Sequence, residues 1–304
     1  MRSSTSQLSI HKLEVFCAVA ERQSVSLAAK HLNIAQPVVS THLKSLSEKL
    51  GVTLTRRSGR RTELTEEGQS VYRWALDVVV RTRELERELI DTQLGVAGKV
   101  SVGASMTPGS YVLPSIVASI RQRYPLGQIS VHVMTSLSVT DAIRQGECDF
   151  AFTILDPRQE IQDLQIEHVR DEPLILVAAS HFEIQAASTL LNELPYITAQ
   201  HGTPRRNIEE YLLMEHGVSR SHIPMEFGHP EAIKRAVRTG AGVAFLFHSS
   251  IRDELASGVL QRIDTPGMDL QVPVYLVRRK NKTLNRFQST MSKELIRSLR
   301  EQDA

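Results

Sequence analysis

The chain has 304 residues, 41% of them hydrophobic and 23% charged, the composition of an ordinary globular protein of two or three domains with ample length for a buried core. It contains no apolar run of about 18 residues and opens with MRSSTSQLSIHKLEVF, which has no apolar segment before a small-residue cleavage site, so neither a membrane span nor a signal peptide is expected. Two cysteines far apart, Cys17 and Cys148, exclude a disulfide framework and point to a reducing, cytoplasmic setting.

The net charge of +2 hides an asymmetry: residues 1–65 hold ten Lys/Arg against four Asp/Glu, a balance of +6, and the remainder carries −4. A basic module on a slightly acidic body implies a polyanionic partner for that module. Leu13, Val15, Phe16 and Val19 mark a first helix. In LAAKHLNIAQPVVSTHLKSL, residues 27–46, a good helical pattern is cut in two. The spacing predicts a helix over 26–32 with Ser24 or Ser26 as its cap, and Asn33 suits the left-handed conformation that ends it. Pro37 then falls in the first turn of a second helix, where its missing N–H costs nothing. Val39, Leu43, Leu46 and Leu50 form a buried stripe on that helix, and Pro37, Ser40, Thr41 and Lys44 form a small, polar opposite face. Ala28 and Ala29 let the two helices approach closely. The break creates an angle, and such an angle lets the second helix enter a DNA major groove.

After Gly51 comes VTLTRRSGRRTELTEEG, with Ser58 and Gly59 as a turn between short β-prone runs and Arg56, Arg57, Arg60 and Arg61 around it. This is a wing suited to phosphates or a narrow minor groove. At these residues the chain resembles LysR-type transcriptional regulators. The resemblance runs through Ser24, Ala28, Ala29, Leu32, Gln36, Pro37, Ser40, Leu46, Leu50, Gly51, Arg57, Leu64, Thr65 and Gly68. Ala35, Ser47, Thr55 and Thr41 depart from it, standing where the family usually has a Ser or Thr cap, a Glu, a Phe and a longer, often basic residue. Carried over residue by residue, the resemblance implies groove contacts from Gln36, Pro37, Ser40 and Thr41. It implies phosphate or wing contacts from Lys44, Arg56, Arg57 and Arg61.

Residues 66–94 lack Pro and hold Gly only at position 68. Val71, Ala75, Val78, Thr82, Leu85, Leu89 and Thr92 alternate at spacings of four and three, a heptad seam that predicts a homodimerisation helix. The resemblance implies the same pairing, and a homotetramer. LGVAGK, residues 94–99, is read as the hinge.

From residue 99 strands and helices alternate: KVSVGA, YVLPSIVASIRQRY, QISVHVM, SVTDAIRQG and CDFAFTIL. A similar set follows EPLILVAAS, running through LPYITA, RRNIEEYLLMEHG, IPMEFG, EAIKRAVRTG and GVAFLF. VPVYLVRR returns, and a closing helix spans 283–300. This predicts two α/β lobes on parallel sheets with a cleft between them. Thr107 and Thr203 each precede a proline after a strand, and His229 precedes Pro230, marking helix N-termini with free N–H groups. Ser105, Thr107, Thr153, Thr203 and His229 are therefore the expected contacts to a small effector, anionic or a carboxylate, at the carboxyl ends of the strands. GASMTPGSYVLP, RQRYP, QGECDFAF and AVRTGAGVAFL also resemble the family's effector domain, which implies a fold like that of periplasmic solute-binding proteins.

The expected fold is thus a winged helix-turn-helix over 1–66, a linker helix and hinge over 67–98, and a two-lobed α/β effector-binding domain over 99–304. Lobe I takes about 99–166 and 270–304, and lobe II about 167–269. The expected function is a regulator of promoter DNA controlled by a small-molecule effector, with RNA polymerase as a further partner, no membrane partner, no metal and no cofactor. A solute-binding module with purely assembling N-terminal helices is one alternative. An enzyme is the other, and it is disfavoured: Ser105 lacks the closing glycine of a nucleophile elbow, and Gly240 and Gly242 follow a helix rather than a strand.

Overall fold

The computed structural model describes residues 8–59, 61–93, 98–156, 159–183 and 191–301. They divide into two compact units, Met1–Leu94 and Gly95–Ala304. In the first, α1 (Ile10–Arg22) starts on Ser9, and α2 (Val25–Leu32) starts on Ser24, whose side chain accepts a hydrogen bond from the Leu27 N–H. Asn33 ends α2 in the left-handed region at φ 55°, ψ 39°, and α3 (Gln36–Leu50) begins with Pro37 in its first turn. Val15, Ala18, Val19, Ala28, Ala29 and Val39 bury the three-helix contact. Ala35 caps α3 without a side-chain bond.

The wing is an antiparallel hairpin of β1 (Thr55–Ser58) and β2 (Arg61–Leu64), in register from Thr55↔Leu64 to Ser58↔Arg61. Arg60 lies outside the described residues. The LTEEG motif has a local physical explanation. Thr65 accepts a hydrogen bond from the Gly68 N–H at 2.9 Å and donates to the Thr53 carbonyl at 2.6 Å, tying wing to helix. A Cβ on Gly68 would stand 1.9 Å from the Leu54 carbonyl oxygen, so only glycine admits this approach.

Helix α4 (Glu66–Gln93) modifies the expected seam. Val71, Ala75 and Val78 are taken up by the unit's own core with Leu13, Phe16, Leu46 and Leu54, and Arg83 pairs with Glu14 at 3.1 Å. Only farther along do apolar seam residues face solvent: Leu85 and Leu89 are each 56% exposed. The side chain of Thr92 and residues 94–97 of the expected hinge lie outside the described residues.

The second unit has two lobes. In the first, β3 (Lys99–Ser105) pairs in parallel with β4 (Gln128–Met134) and β5 (Phe150–Thr153). Helices α5 (Leu113–Arg123), α6 (Ser136–Arg144) and α10 (Arg286–Glu301) accompany it. A π-helical turn, Pro108–Val112, precedes α5. The second lobe joins β7 (Ile197–Ala199) to β8 (Met225–Phe227) in parallel, with α7 (Pro204–Glu215), α8 (Pro230–Arg238), β9 (Ala244–Phe247), α9 (His248–Ala256) and β10 (Leu260–Arg262).

The sheets are mixed rather than parallel throughout. The two crossovers are strands, β6 (Leu164–Ala179) and β11 (Gln271–Arg279), antiparallel to each other from Leu164↔Arg279 to Pro173↔Gln271. Strand β11 also runs antiparallel to β5, and β9 and β10 antiparallel to β6. A buried ion pair, Arg170 with Glu172, sits on β6. Arg170 reaches the Leu299 carbonyl of α10 at 3.4 Å, and Glu172 accepts the Ser249 N–H at the start of α9 at 2.8 Å. One strand thereby holds a helix end from each lobe.

Candidate functional site

Two surfaces carry chemistry. On the first unit, Gln36, Pro37, Ser40, Thr41 and Lys44 are all exposed on one face of α3, because Val39 and Leu46 rotate the opposite face inward. Ser26 does not cap; its hydroxyl donates to Gln36 Oε1 at 3.0 Å and steadies that amide at the helix start. Thr41 donates to the Pro37 carbonyl at 2.9 Å, leaving its oxygen as an acceptor. Val38, 41% exposed on the same first turn, was not marked by sequence. Its apolar character pointed inward, yet its methyls suit a thymine methyl. On the wing, Arg57 and Arg61 are exposed, Arg57 donates to the Gly59 carbonyl at 3.3 Å, and Arg56 pairs with Glu63 at 3.2 Å.

On the second unit a cavity of about 210 Å³ opens between the lobes. Ser105, Thr107, Thr203 and His229 all line it. Thr153 does not: it is fully buried, and its hydroxyl donates to the Ile154 carbonyl at 2.9 Å. Strand β5 ends at Thr153, and the next residue, Ile154, takes the place at the cavity. Thr203 and His229 are helix caps as well as lining residues. Thr203 accepts the Arg206 N–H, and the His229 ring accepts the Glu231 N–H at 3.1 Å. A third cap, Thr135, lines the cavity from α6 and accepts the Ser138 N–H at 3.2 Å. Several helix starts therefore bring partial positive charge to one space.

Sequence reasoning missed Arg205, which the cavity reveals. Its Nε donates to Glu209 at 2.8 Å, its Nη2 donates to the Phe245 carbonyl at 3.1 Å, and its guanidinium carbon lies 5.2 Å from the Phe247 ring centroid. Its Nη1 is buried without a hydrogen-bond partner, and so is the Oγ of Ser105. Leaving a buried polar group unmatched costs about 1–3 kcal/mol, which a ligand oxygen would recover. A signal was available in TPRR: a cation in the first turn of a helix opposes the macrodipole and calls for an anionic partner. Buried Glu209 supplies part of it, shared with Arg220 at 2.8 Å.

Beside the cavity the lobes are joined directly. The Tyr111 hydroxyl donates to Glu231 at 2.8 Å, and Asn207 donates to Asp156 at 2.7 Å. Burial raises the Glu231 pKa, but the hydrogen bonds from Tyr111 and Lys234 outweigh it and hold the carboxyl below its usual range. Both cysteines are buried, and burial first, then Glu21, push the Cys17 thiol up to about 12. No cluster of His, Cys, Asp and Glu among the described residues is arranged to hold a metal, and no helix among them is long and apolar enough to cross a membrane.

A winged helix-turn-helix joined to a two-lobed α/β body with a ligand cavity defines a DNA-binding transcriptional regulator with an effector-binding domain. Family models agree. Residues 10–69 match the bacterial regulatory helix-turn-helix protein of the lysR family, and residues 93–304 match the LysR substrate binding domain. The HTH-type transcriptional regulator YeiE of Escherichia coli K12 is 31% identical over 281 residues, covering 91% of this chain and 94% of that protein. The solved structure of a full-length OxyR cysteine variant from Pseudomonas aeruginosa is similar at a TM-score of 0.63 and 24% identity, over 97% of this chain and 95% of that one. The Synechocystis PCC6803 CcmR regulatory domain in complex with 2-PG matches at a TM-score of 0.59 and 24% identity, over 66% of this chain and 96% of that one. The chain belongs to the LysR family of transcriptional regulators. Members of this family are regulators and not enzymes; they bind DNA and small-molecule effectors and form oligomers.

Proposed function

We propose that this regulator reads paired half-sites in promoter DNA and alters its hold on them when a small anion, a carboxylate or similar, occupies the cavity. The observation that carries the ligand half is the pair of buried, unpartnered atoms, Ser105 Oγ and Arg205 Nη1, on residues that line the same cavity. Thr107 adds a hydroxyl, while Thr203 and His229 hold the helix starts that face the ligand. Thr153 acts only by supporting the strand. The small molecule in the CcmR regulatory domain supports a ligand in the matching domain here.

For DNA, Gln36, Pro37, Ser40 and Thr41 enter the groove, and Lys44, Arg56, Arg57 and Arg61 engage phosphates or the wing's groove. The working division is 1–66 for DNA, 67–98 for linker and hinge, and 99–304 for the effector. The homodimer contact lies within residues 66–94, on the stretch around Leu85 and Leu89 that the unit's own core leaves exposed, because two half-sites need two readers. A homotetramer, RNA polymerase as partner and the cytoplasm as location complete the reading. Ligand control follows from unequal affinity for two lobe arrangements.

Footprinting of the full-length protein on its own upstream intergenic DNA, repeated with a panel of small carboxylates and inorganic anions, tests both halves. A roughly two-fold symmetric protected region that shortens or shifts with one compound is the expected result. Protection that survives Ser40→Glu combined with Arg57→Glu overturns the groove and wing assignments. Protection, DNA bend and transcription that no compound alters overturn the ligand half.

A further inference from the structure

The cavity's lining narrows the ligand further. We infer that it is a monocarboxylate carried on an apolar body, branched or aromatic, an inference that rests on the effector reading of the same cavity. Few polar atoms of the lining are available to a ligand. Among the described residues of the lining, Arg205 is the only Lys or Arg, and there is no Asp or Glu. The hydroxyls of Thr135 and Thr203 and the Nδ1 of His229 already cap their own helices, and apart from Ser105 and Arg205 the hydroxyls of Thr107 and Ser136 and the Nε2 of His229 are the remaining polar side-chain groups of the wall. Among those same residues, the buried polar side-chain atoms without a partner are two, Ser105 Oγ and Arg205 Nη1, and a carboxylate brings two oxygens.

The rest of the wall is largely apolar. Leu137, Ile154, Phe227, Ile233 and Phe247 offer nothing to the further oxygens of a phosphate, a sulfate or a sugar. Against that part of the wall such oxygens would be buried without hydrogen bonds, which is costly, whereas an apolar body gains from the same surface.

Size points the same way. At about 210 Å³ the cavity far exceeds the roughly 10–15 Å³ that one water needs on this measure, so a bare inorganic anion would leave most of it unfilled. Arg205 selects the acid, held in orientation by Glu209 and the Phe245 carbonyl. Leu137, Phe227 and Phe247 select the body.

Isothermal titration of the full-length protein tests this with acetate, isovalerate, phenylacetate, phenylacetamide, inorganic phosphate and sulfate. Each buried methylene is worth roughly fourfold in affinity, so the tighter of isovalerate and phenylacetate is expected to exceed acetate by at least roughly tenfold. Phenylacetamide, the neutral counterpart, is expected to lose at least roughly tenfold against phenylacetate, and Arg205→Met to erase most of that gap. If Arg205→Met fails to fold by circular dichroism, Ser105→Ala makes the same acid-to-amide comparison. Phosphate or sulfate binding more tightly than every carboxylate would overturn the ligand class while leaving an anion cavity in place. An amide that binds as well as the acid would overturn the carboxylate anchor. Binding by none of the six probes would overturn this inference and the effector reading of the cavity together.

Discussion

At the scale of single residues, Gly68 and Glu231 show two kinds of constraint. Gly68 has ordinary helical surroundings except that the Leu54 carbonyl would lie 1.9 Å from an added Cβ. The backbone cannot yield cheaply, so Gly68→Ala is expected to cost about 1–3 kcal/mol. A thermal melt would register this as a fall of roughly 4–8 °C per kcal/mol for a unit of this size. Glu231 illustrates charge. Its folded pKa is held below the ordinary carboxylate value of 4.5, so its contribution to stability is present above that value and is lost as pH falls through the depressed one. Tyr111→Phe removes one of the bonds responsible. The stability difference between wild type and Tyr111→Phe is therefore expected to be constant above about pH 4.5 and to shrink in acid, as denaturant titrations across pH would measure. A difference that grows in acid would contradict the assignment.

Among the elements, α4 is divided along its length, because its seam has two fates. Val71, Ala75 and Val78 are consumed by the helix-turn-helix core, and Leu85 and Leu89 stay in solvent. Periodicity alone could not separate the two, since both halves keep the same spacing. Leu85→Lys with Leu89→Lys is expected to weaken self-association strongly and to change the stability of the first unit by less than about 0.5 kcal/mol, because these side chains are already exposed. Sedimentation velocity and thermal melts together check this. Self-association that persists in the folded double variant would move the pairing surface elsewhere. The crossover strand β6 carries the Arg170 and Glu172 pair and links α10 of one lobe to α9 of the other. The sequence located EPLILVAAS as a strand but held no hint that it continued back to Leu164. LQIEHVRDE alternates too irregularly, since its polar residues are matched by partners far away in sequence.

For the whole molecule, the charge asymmetry makes a quantitative demand. Exposed Lys44, Arg57 and Arg61 on a module with a +6 balance should release counterions on binding DNA. The logarithm of affinity is then expected to fall linearly with the logarithm of salt, and Arg57→Ala to reduce that slope by about 1. Fluorescence anisotropy with a labelled operator fragment between low and moderate salt reads it directly. An unchanged slope would remove Arg57 from the phosphate contacts. Arg56 is expected to matter less, because Glu63 already neutralises it at 3.2 Å.

The sequence by itself determined what depends on neighbours in the chain. The break at Asn33 and Pro37, the Ser24 cap, the wing turn at Gly59 and the helix starts after Thr203 and His229 are all local matters of dihedral preference and capping. Thr203 and His229 were legible for that reason, and Ser105 and Thr107 from their place at the carboxyl end of a strand. Only the tertiary structure decided which polar atoms go without partners. Ser105 Oγ and Arg205 Nη1 became conspicuous once Glu209 and the Phe245 carbonyl had taken the rest of the guanidinium, and Thr153 dropped out once its hydroxyl found the Ile154 carbonyl. Burial and hydrogen-bond satisfaction are sums over residues distant in sequence, so no local pattern can report them.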